Sequence, residues 1–181
     1  MNININKHPT LNDVRIIKND DFTDERGYFT KIYFEKIKKN LDFNIDEIFY
    51  SINNKGVIRG IHYQKKEKKL GKIIKCIDGE IIDFFIDLRK DSNTFGTYSS
   101  EILSKENNLS IYIPQGFGHG FSVISDKATV VYLQSGDYDF DSEGGIDPLS
   151  FNFDWKVEKP IISSRDTNHP PFDLDNKEFK L

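Results

Sequence analysis

A chain of 181 residues with 37% hydrophobic residues is long enough, and apolar enough, for one domain spanning residues 1–181 with a buried core. The net charge of −4 argues against a nucleic-acid partner, the single cysteine (Cys76) excludes a disulfide framework or cysteine-rich metal site, and no apolar run could span a bilayer. Residues 1–8 lack the apolar stretch of a secretory signal, so a soluble cytoplasmic protein is expected.

Fifteen Phe and eight Tyr favour strands over helices. The run 14–17 reads as a first strand, followed by a turn-rich loop over 20–27 and a strand of aromatic and β-branched residues over 28–33. A short helix is predicted over 34–41, where Phe34, Ile37 and Leu41 share a face. A strand over 47–52 leads into Asn53-Asn54-Lys55-Gly56, a hairpin signal. The lysines at 65, 66, 68 and 69 predict a solvated loop. Strands over 72–77 and 80–88 flank Asp78-Gly79, a pair suited to a type I′ turn. Further strands are predicted over 97–103, 109–113, 121–124 and 129–135. The proline-rich C-terminal part predicts short helices and coil packed on the strands. Many short strands at this spacing indicate an all-β sandwich or jelly-roll barrel with short flanking helices. The edges of such a fold need pairing, for which a symmetric homodimer is the commonest solution.

The densest chemistry is in Gly56-Val57-Ile58-Arg59-Gly60-Ile61-His62-Tyr63-Gln64. In a regular strand Arg59 and His62 point to opposite faces; a bulge at Gly60 would bring both into one cavity, suited to an anionic ligand. A second signal is Pro114-x-Gly116-x-x-His119, the shape of a cupin turn that aims its histidine inward. Metal-binding cupins carry His-x-His on the earlier strand; here Gln64 takes the second place, so no metal site is expected. Tyr132 and Tyr138, six apart, share a face if their strand is unbroken. Taken locally, Lys72 reads as a solvated residue at a strand start and Asp166 as a turn or N-cap residue.

Together these pieces resemble the dTDP-4-dehydrorhamnose 3,5-epimerase family. The matching elements are Phe22-x-Asp24-x-Arg26-Gly27-x-Phe29, residues 56–64, Gly79-Glu80 with Asp83, Asp87-Leu88-Arg89, Ser92-x-Thr94-Phe95-Gly96, residues 113–121, Tyr132 to Tyr138, Trp155 and Ser164-Arg165-Asp166. The resemblance implies a metal-free, cofactor-independent cupin jelly roll, usually a homodimer, that epimerises a nucleotide-linked 4-keto sugar at C3 and probably C5 for surface-polysaccharide synthesis. It assigns His62 as the base, Asp166 as its dyad partner, Lys72 as the cation at the C4 oxygen and Tyr132 as the acid on the opposite face. An imidazole's ordinary pKa of about 6.5 suits a base at neutral pH. Arg59, Arg26 and Arg165 are implied for the pyrophosphate, Phe22, Phe29 and Tyr138 for the base or sugar, and Ser51 and His119 as hydrogen-bond donors.

Two departures stand out. Where many relatives read Gln-x-Asn-x-Ser, this chain has Glu47-Ile48-Phe49-Tyr50-Ser51, and Lys31 stands where relatives often carry Glu. Both fall in the part expected to hold nucleotide or sugar. They leave open another nucleotide such as GDP, or a 4-keto-heptose. Separate from them, the alternative readings are a C3-only epimerase, a 3,4-ketoisomerase and a non-catalytic cupin that binds sugar or protein.

Overall fold

The computed structural model describes residues 3–65, 70–175, 179 and 181. Within these the strands are β1 (Ile3–Lys7), β2 (Arg15–Asn19), β3 (Phe22–Asp24), β4 (Gly27–Phe29), β5 (Glu47–Asn54), β6 (Ile58–Gln64), β7 (Gly71–Asp78), β8 (Glu80–Asp87), β9 (Tyr98–Ser104), β10 (Leu109–Ile113), β11 (Phe117–Val123), β12 (Lys127–Ser135) and β13 (Glu143–Gly145). Helix α1 (Glu35–Leu41) follows β4, a 3-10 turn occupies Pro148–Ser150, and α2 (Ser164–Thr167) lies in the C-terminal segment. One sheet has the order β1-β2-β10-β7-β12-β5, the second β13-β6-β11-β8-β9, and β3 and β4 form a separate ribbon. The strand pairs are antiparallel, as the expected jelly roll requires.

Period-2 alternation explains the layers. Ile74 and Cys76 of β7, Ile81 and Phe85 of β8, Phe117 and Phe121 of β11 and Val130 of β12 form the core between the sheets. The intervening residues point outward and are covered too. Ile73 and Leu133 pack with Ile37 of α1 and Phe43, while Phe84 and Ile86 pack with Phe151, Trp155 and Phe179 of the C-terminal segment. Each sheet therefore has both faces buried over much of its area, which accounts for nearly continuous apolar runs such as Ile81 to Ile86.

Several boundaries differ from the sequence expectations. The alternation Ile3-Asn4-Ile5-Asn6 is a strand, and it pairs with β2. Within the predicted loop, Phe22 pairs with Phe29 around a tight ribbon. The strand expected over 28–33 stops at Phe29, because Ile32, Tyr33 and Phe34 turn away to pack beside α1. Neither predicted hairpin exists. β5 and β6 belong to different sheets, as do β7 and β8, so both connections are corners between layers. At the second corner Gly79 has φ +77 while Asp78 does not adopt a positive φ, which rules out a type I′ turn. Glycine is required there because a Cβ would lie 1.9 Å from the Lys127 carbonyl oxygen. Lysines 66, 68 and 69 lie outside the described residues.

Candidate active site

At one end of the barrel the inward-facing residues change from apolar to polar and surround a cavity of about 330 Å³. Arg59 and His62 enter from β6, Lys72 from β7, His119 from β11, and Tyr132 and Gln134 from β12. Each of the last four shares its face with core residues one step along the strand, such as Ile74, Phe121 and Val130. The core and the cavity are thus two ends of the same rows of side chains.

Gly60 makes the β6 contribution possible. His119 pairs with His62 and Phe121 with Arg59, so three steps on β6 oppose two on β11. This extra residue is a bulge that turns Arg59 and His62 to one side, as the sequence suggested. Gly60 has φ +116, and a Cβ there would lie 2.6 Å from Gly120 Cα and 2.7 Å from the His119 carbonyl oxygen. The Gly60 N–H donates to Asp166 Oδ2 at 3.1 Å, and Oδ1 of the same carboxylate lies 2.7 Å from His62 Nε2. Asp166 is held in α2, where its own N–H donates to the Ser163 hydroxyl at 3.1 Å. Burial pushes the Asp166 carboxyl up, but the His62 contact and the Gly60 N–H outweigh it and hold the group below the usual carboxylate range. An ionised carboxylate only accepts, so Nε2 carries the shared proton and Nδ1 keeps the lone pair.

A second histidine–carboxylate pair lies on the neighbouring strands, where His119 is the ladder partner of His62. His119 Nε2 is 2.8 Å from Asp83 Oδ2, and Asp83 is fully buried on β8. Burial raises the Asp83 carboxyl above its ordinary range, against the opposing influence of His119 and Lys72. Burial likewise lowers Lys72 to about 8, and the Asp83 charge resists that fall. Tyr132 is 6% exposed, and burial pushes its phenol well above 10 although the Ser51 hydroxyl and Arg59 pull the other way. The Tyr132 hydroxyl lies 3.3 Å from Ser51 Oγ, its ring stacks on Phe49 at 4.7 Å, and it forms a T-shaped pair with His119 at 6.4 Å. His62 and Tyr132 come from different sheets and face one cavity, which the Lys72 ammonium also lines. That arrangement can remove and return a proton at a carbon made acidic by an adjacent carbonyl.

Known proteins place this geometry. The sequence profile of the dTDP-4-dehydrorhamnose 3,5-epimerase family matches residues 8–173. The dTDP-4-dehydrorhamnose 3,5-epimerase of Shigella flexneri is 39% identical over 167 residues, 88% of this chain and 91% of its own. That of Methanothermobacter thermautotrophicus is 38% identical over 169 residues, covering 90% and 91%. The chain belongs to the dTDP-4-dehydrorhamnose 3,5-epimerase family. Among solved structures of this epimerase family, the Legionella pneumophila dTDP-6-deoxy-D-glucose-3,5-epimerase, in complex with dTDP-4-keto-L-rhamnose, superposes with a TM-score of 0.91 at 32% identity. It covers 98% of this chain and 97% of its own.

Of the positions the resemblance assigned, His62, Lys72, Tyr132, Arg59, His119, Tyr138 and Arg165 line the cavity, and Asp166 stands behind His62. Ser51 lies behind Tyr132 rather than on the wall. Tyr138 reaches the cavity from a loop, since β12 ends at Ser135 and the strand is not continuous to it. Phe22, Arg26 and Phe29 are not in this cavity. They sit on the β3–β4 ribbon, where Arg26 Nε donates to Asp24 at 3.1 Å and both phenylalanines are exposed. The sequence reading missed a carboxylate that organises the rim: Glu143 of β13 accepts from the Tyr138 hydroxyl at 2.6 Å and pairs with Arg165. Glu47, noted in the sequence only as part of a departure from relatives, lines the cavity and accepts from Gln134 Nε2 at 3.1 Å and from the Tyr138 N–H at 3.1 Å. His169, which lies edge-on to His62 at 6.1 Å, was not singled out either. His62, Asp166 and His169 are ligand-type groups with donor atoms within 4.8 Å of one another, a grouping absent from the sequence reading.

Proposed function

We propose that this chain epimerises a dTDP-linked 4-keto sugar at C3 and C5, with His62 as base and Tyr132 as acid. The observation that carries the reading is the His62–Asp166 pair facing Tyr132 across one cavity, with Lys72 beside them. A carbonyl at C4 acidifies the protons on both neighbouring carbons. Nδ1 of His62 takes such a proton while Asp166 fixes the tautomer and balances the imidazolium. The Lys72 cation stabilises the enolate oxygen, and the substrate's own ketone serves as electron sink. Tyr132, kept protonated by burial, returns a proton to the opposite face and inverts the centre.

Arg59 and Arg165 are the cavity's candidates for the diphosphate, Arg165 after exchanging Glu143 for phosphate oxygens. Phe22, Arg26 and Phe29 contribute through a homodimer in which the ribbon of one protomer closes the cavity of its partner. Supporting this, the ribbon exposes Phe22, Tyr28 and Phe29 and lies outside the cavity that holds His62. In addition, β5 ends its sheet with Ile48, Tyr50 and Ile52 exposed. A nucleotide-activated substrate places the reaction in the cytoplasm, and among the described residues no helix is long and apolar enough to cross a membrane.

Thermal unfolding with dTDP, UDP, GDP and CDP, followed by product NMR on a dTDP-4-keto-6-deoxy sugar, tests the reading. A nucleotide at 100 times its Kd adds about 2.7 kcal/mol of stability. The expected outcome is the largest stabilisation by dTDP and a product inverted at C3 and C5 with the carbonyl still at C4. Stabilisation by GDP in preference to dTDP, or a carbonyl moved to C3, refutes it.

A further inference from the structure

Phe49 faces Tyr132 directly across the β5–β12 ladder, with ring centroids 4.7 Å apart and planes 14° from parallel. It lines the cavity, is 42% exposed, and belongs to none of the three core clusters. Nothing about core packing therefore asks for a phenyl ring here. Its one aromatic partner among the described residues is Tyr132.

The Tyr132 ring belongs to the same buried core cluster as Ile74, Phe121 and Val130, and three further neighbours act on it at the cavity. His119 lies T-shaped to it at 79°, Ser51 touches its hydroxyl at 3.3 Å, and Phe49 covers one face. A 3.3 Å contact is long for a hydroxyl–hydroxyl hydrogen bond and fixes the oxygen loosely. The stacked ring adds the restraint at the cavity wall, because a phenol that tilts toward Phe49 drives its face into that ring.

We propose that Phe49 is a positioning residue for Tyr132: its ring braces the phenol so that the hydroxyl proton reaches the substrate carbon from the side opposite His62. The inference rests on the reading of Tyr132 as the acid. A proton donor must meet its carbon within hydrogen-bond reach, and small displacements are expensive in rate. Proton removal by His62 does not use the phenol, so the brace acts on inversion and not on abstraction. The brace also explains why an aromatic residue is useful at a position where polar side chains would otherwise suit a sugar pocket.

The test compares Phe49→Ala, Phe49→Tyr and Tyr132→Phe in heavy water, with thermal unfolding of each. Solvent deuterium entering at the reacting carbons reports abstraction, and product stereochemistry reports inversion. Phe49→Ala is expected to slow inversion by about tenfold or more while deuterium entry stays near the parental rate. Phe49→Tyr, which keeps a flat ring, restores inversion. Parental inversion in Phe49→Ala, alongside a Tyr132→Phe variant that cannot invert, overturns the brace and leaves the acid assignment standing. So does an equal fall of deuterium entry and inversion with a lowered melting temperature, the signature of general damage. Parental inversion in Tyr132→Phe removes the acid assignment itself, and the brace with it.

Discussion

Lys72 is a cation held near the limit of remaining one. Burial brings it to about 8, so it is charged below that pH and increasingly neutral above it. Stabilisation of a C4 enolate needs the charged form, and turnover is therefore expected to fall as pH rises through about 8. Lys72→Gln should lower kcat by about 10²- to 10³-fold, the usual cost of removing one donor at a developing oxyanion, and abolish that alkaline limb. A limb that survives in Lys72→Gln would mean another group titrates there. Local sequence could not reveal this residue, since a lysine opening a strand looks solvated until its neighbours Asp83 and Gln134 are known. Asp166 was hidden for a different reason: its partner His62 is 104 positions away. Only resemblance to a family joined the two. Asp83, by contrast, left a readable trace, being a charge on the inward side of an otherwise apolar alternation between Ile81 and Phe85.

Among the elements, β6 decides the site, and its bulge turns on one glycine. Gly60→Ala meets backbone atoms at 2.6 and 2.7 Å from a strained φ of +116, and backbone cannot move aside as a flexible side chain can. The expected cost is about 2 kcal/mol or more of stability, read by denaturant unfolding, together with a larger loss of activity as His62 and Arg59 lose their common direction. An active, fully stable Gly60→Ala protein would show that the bulge is dispensable. This feature was legible from sequence because a glycine between an arginine and a histidine at that spacing has few other uses. The two corners were not. Asn53-Asn54-Lys55-Gly56 and Asp78-Gly79 carry good turn residues, and a turn that joins two sheets uses the same residues as one that closes a hairpin. β13, with Glu143-Gly144-Gly145, shows no apolar alternation at all and forms because it pairs with β6.

For the whole molecule, the two sheets bring His62 and Tyr132, the proposed base and acid, to one cavity, and the proposed homodimer would bring the ribbon to its partner's cavity. That arrangement predicts complementation. A chain carrying Arg26→Ala and a chain carrying His62→Ala, each weak or inactive alone, should recover about half the parental activity as a hybrid dimer. In that hybrid one of its two cavities has both residues. No recovery in purified hybrids would place the ribbon's role within its own chain or outside catalysis. The jelly-roll class was readable from aromatic content and turn spacing, whereas β1, the β3–β4 ribbon and β13 were not, because each is short and is fixed by the strand it pairs with. The most direct test of the account as a whole is deuterium incorporation during turnover of the 4-keto sugar in heavy water. The parent should label C3 and C5 with inversion, His62→Ala should label neither, and Tyr132→Phe should gain label with little inversion. Label entering either carbon at the parental rate in His62→Ala would contradict it.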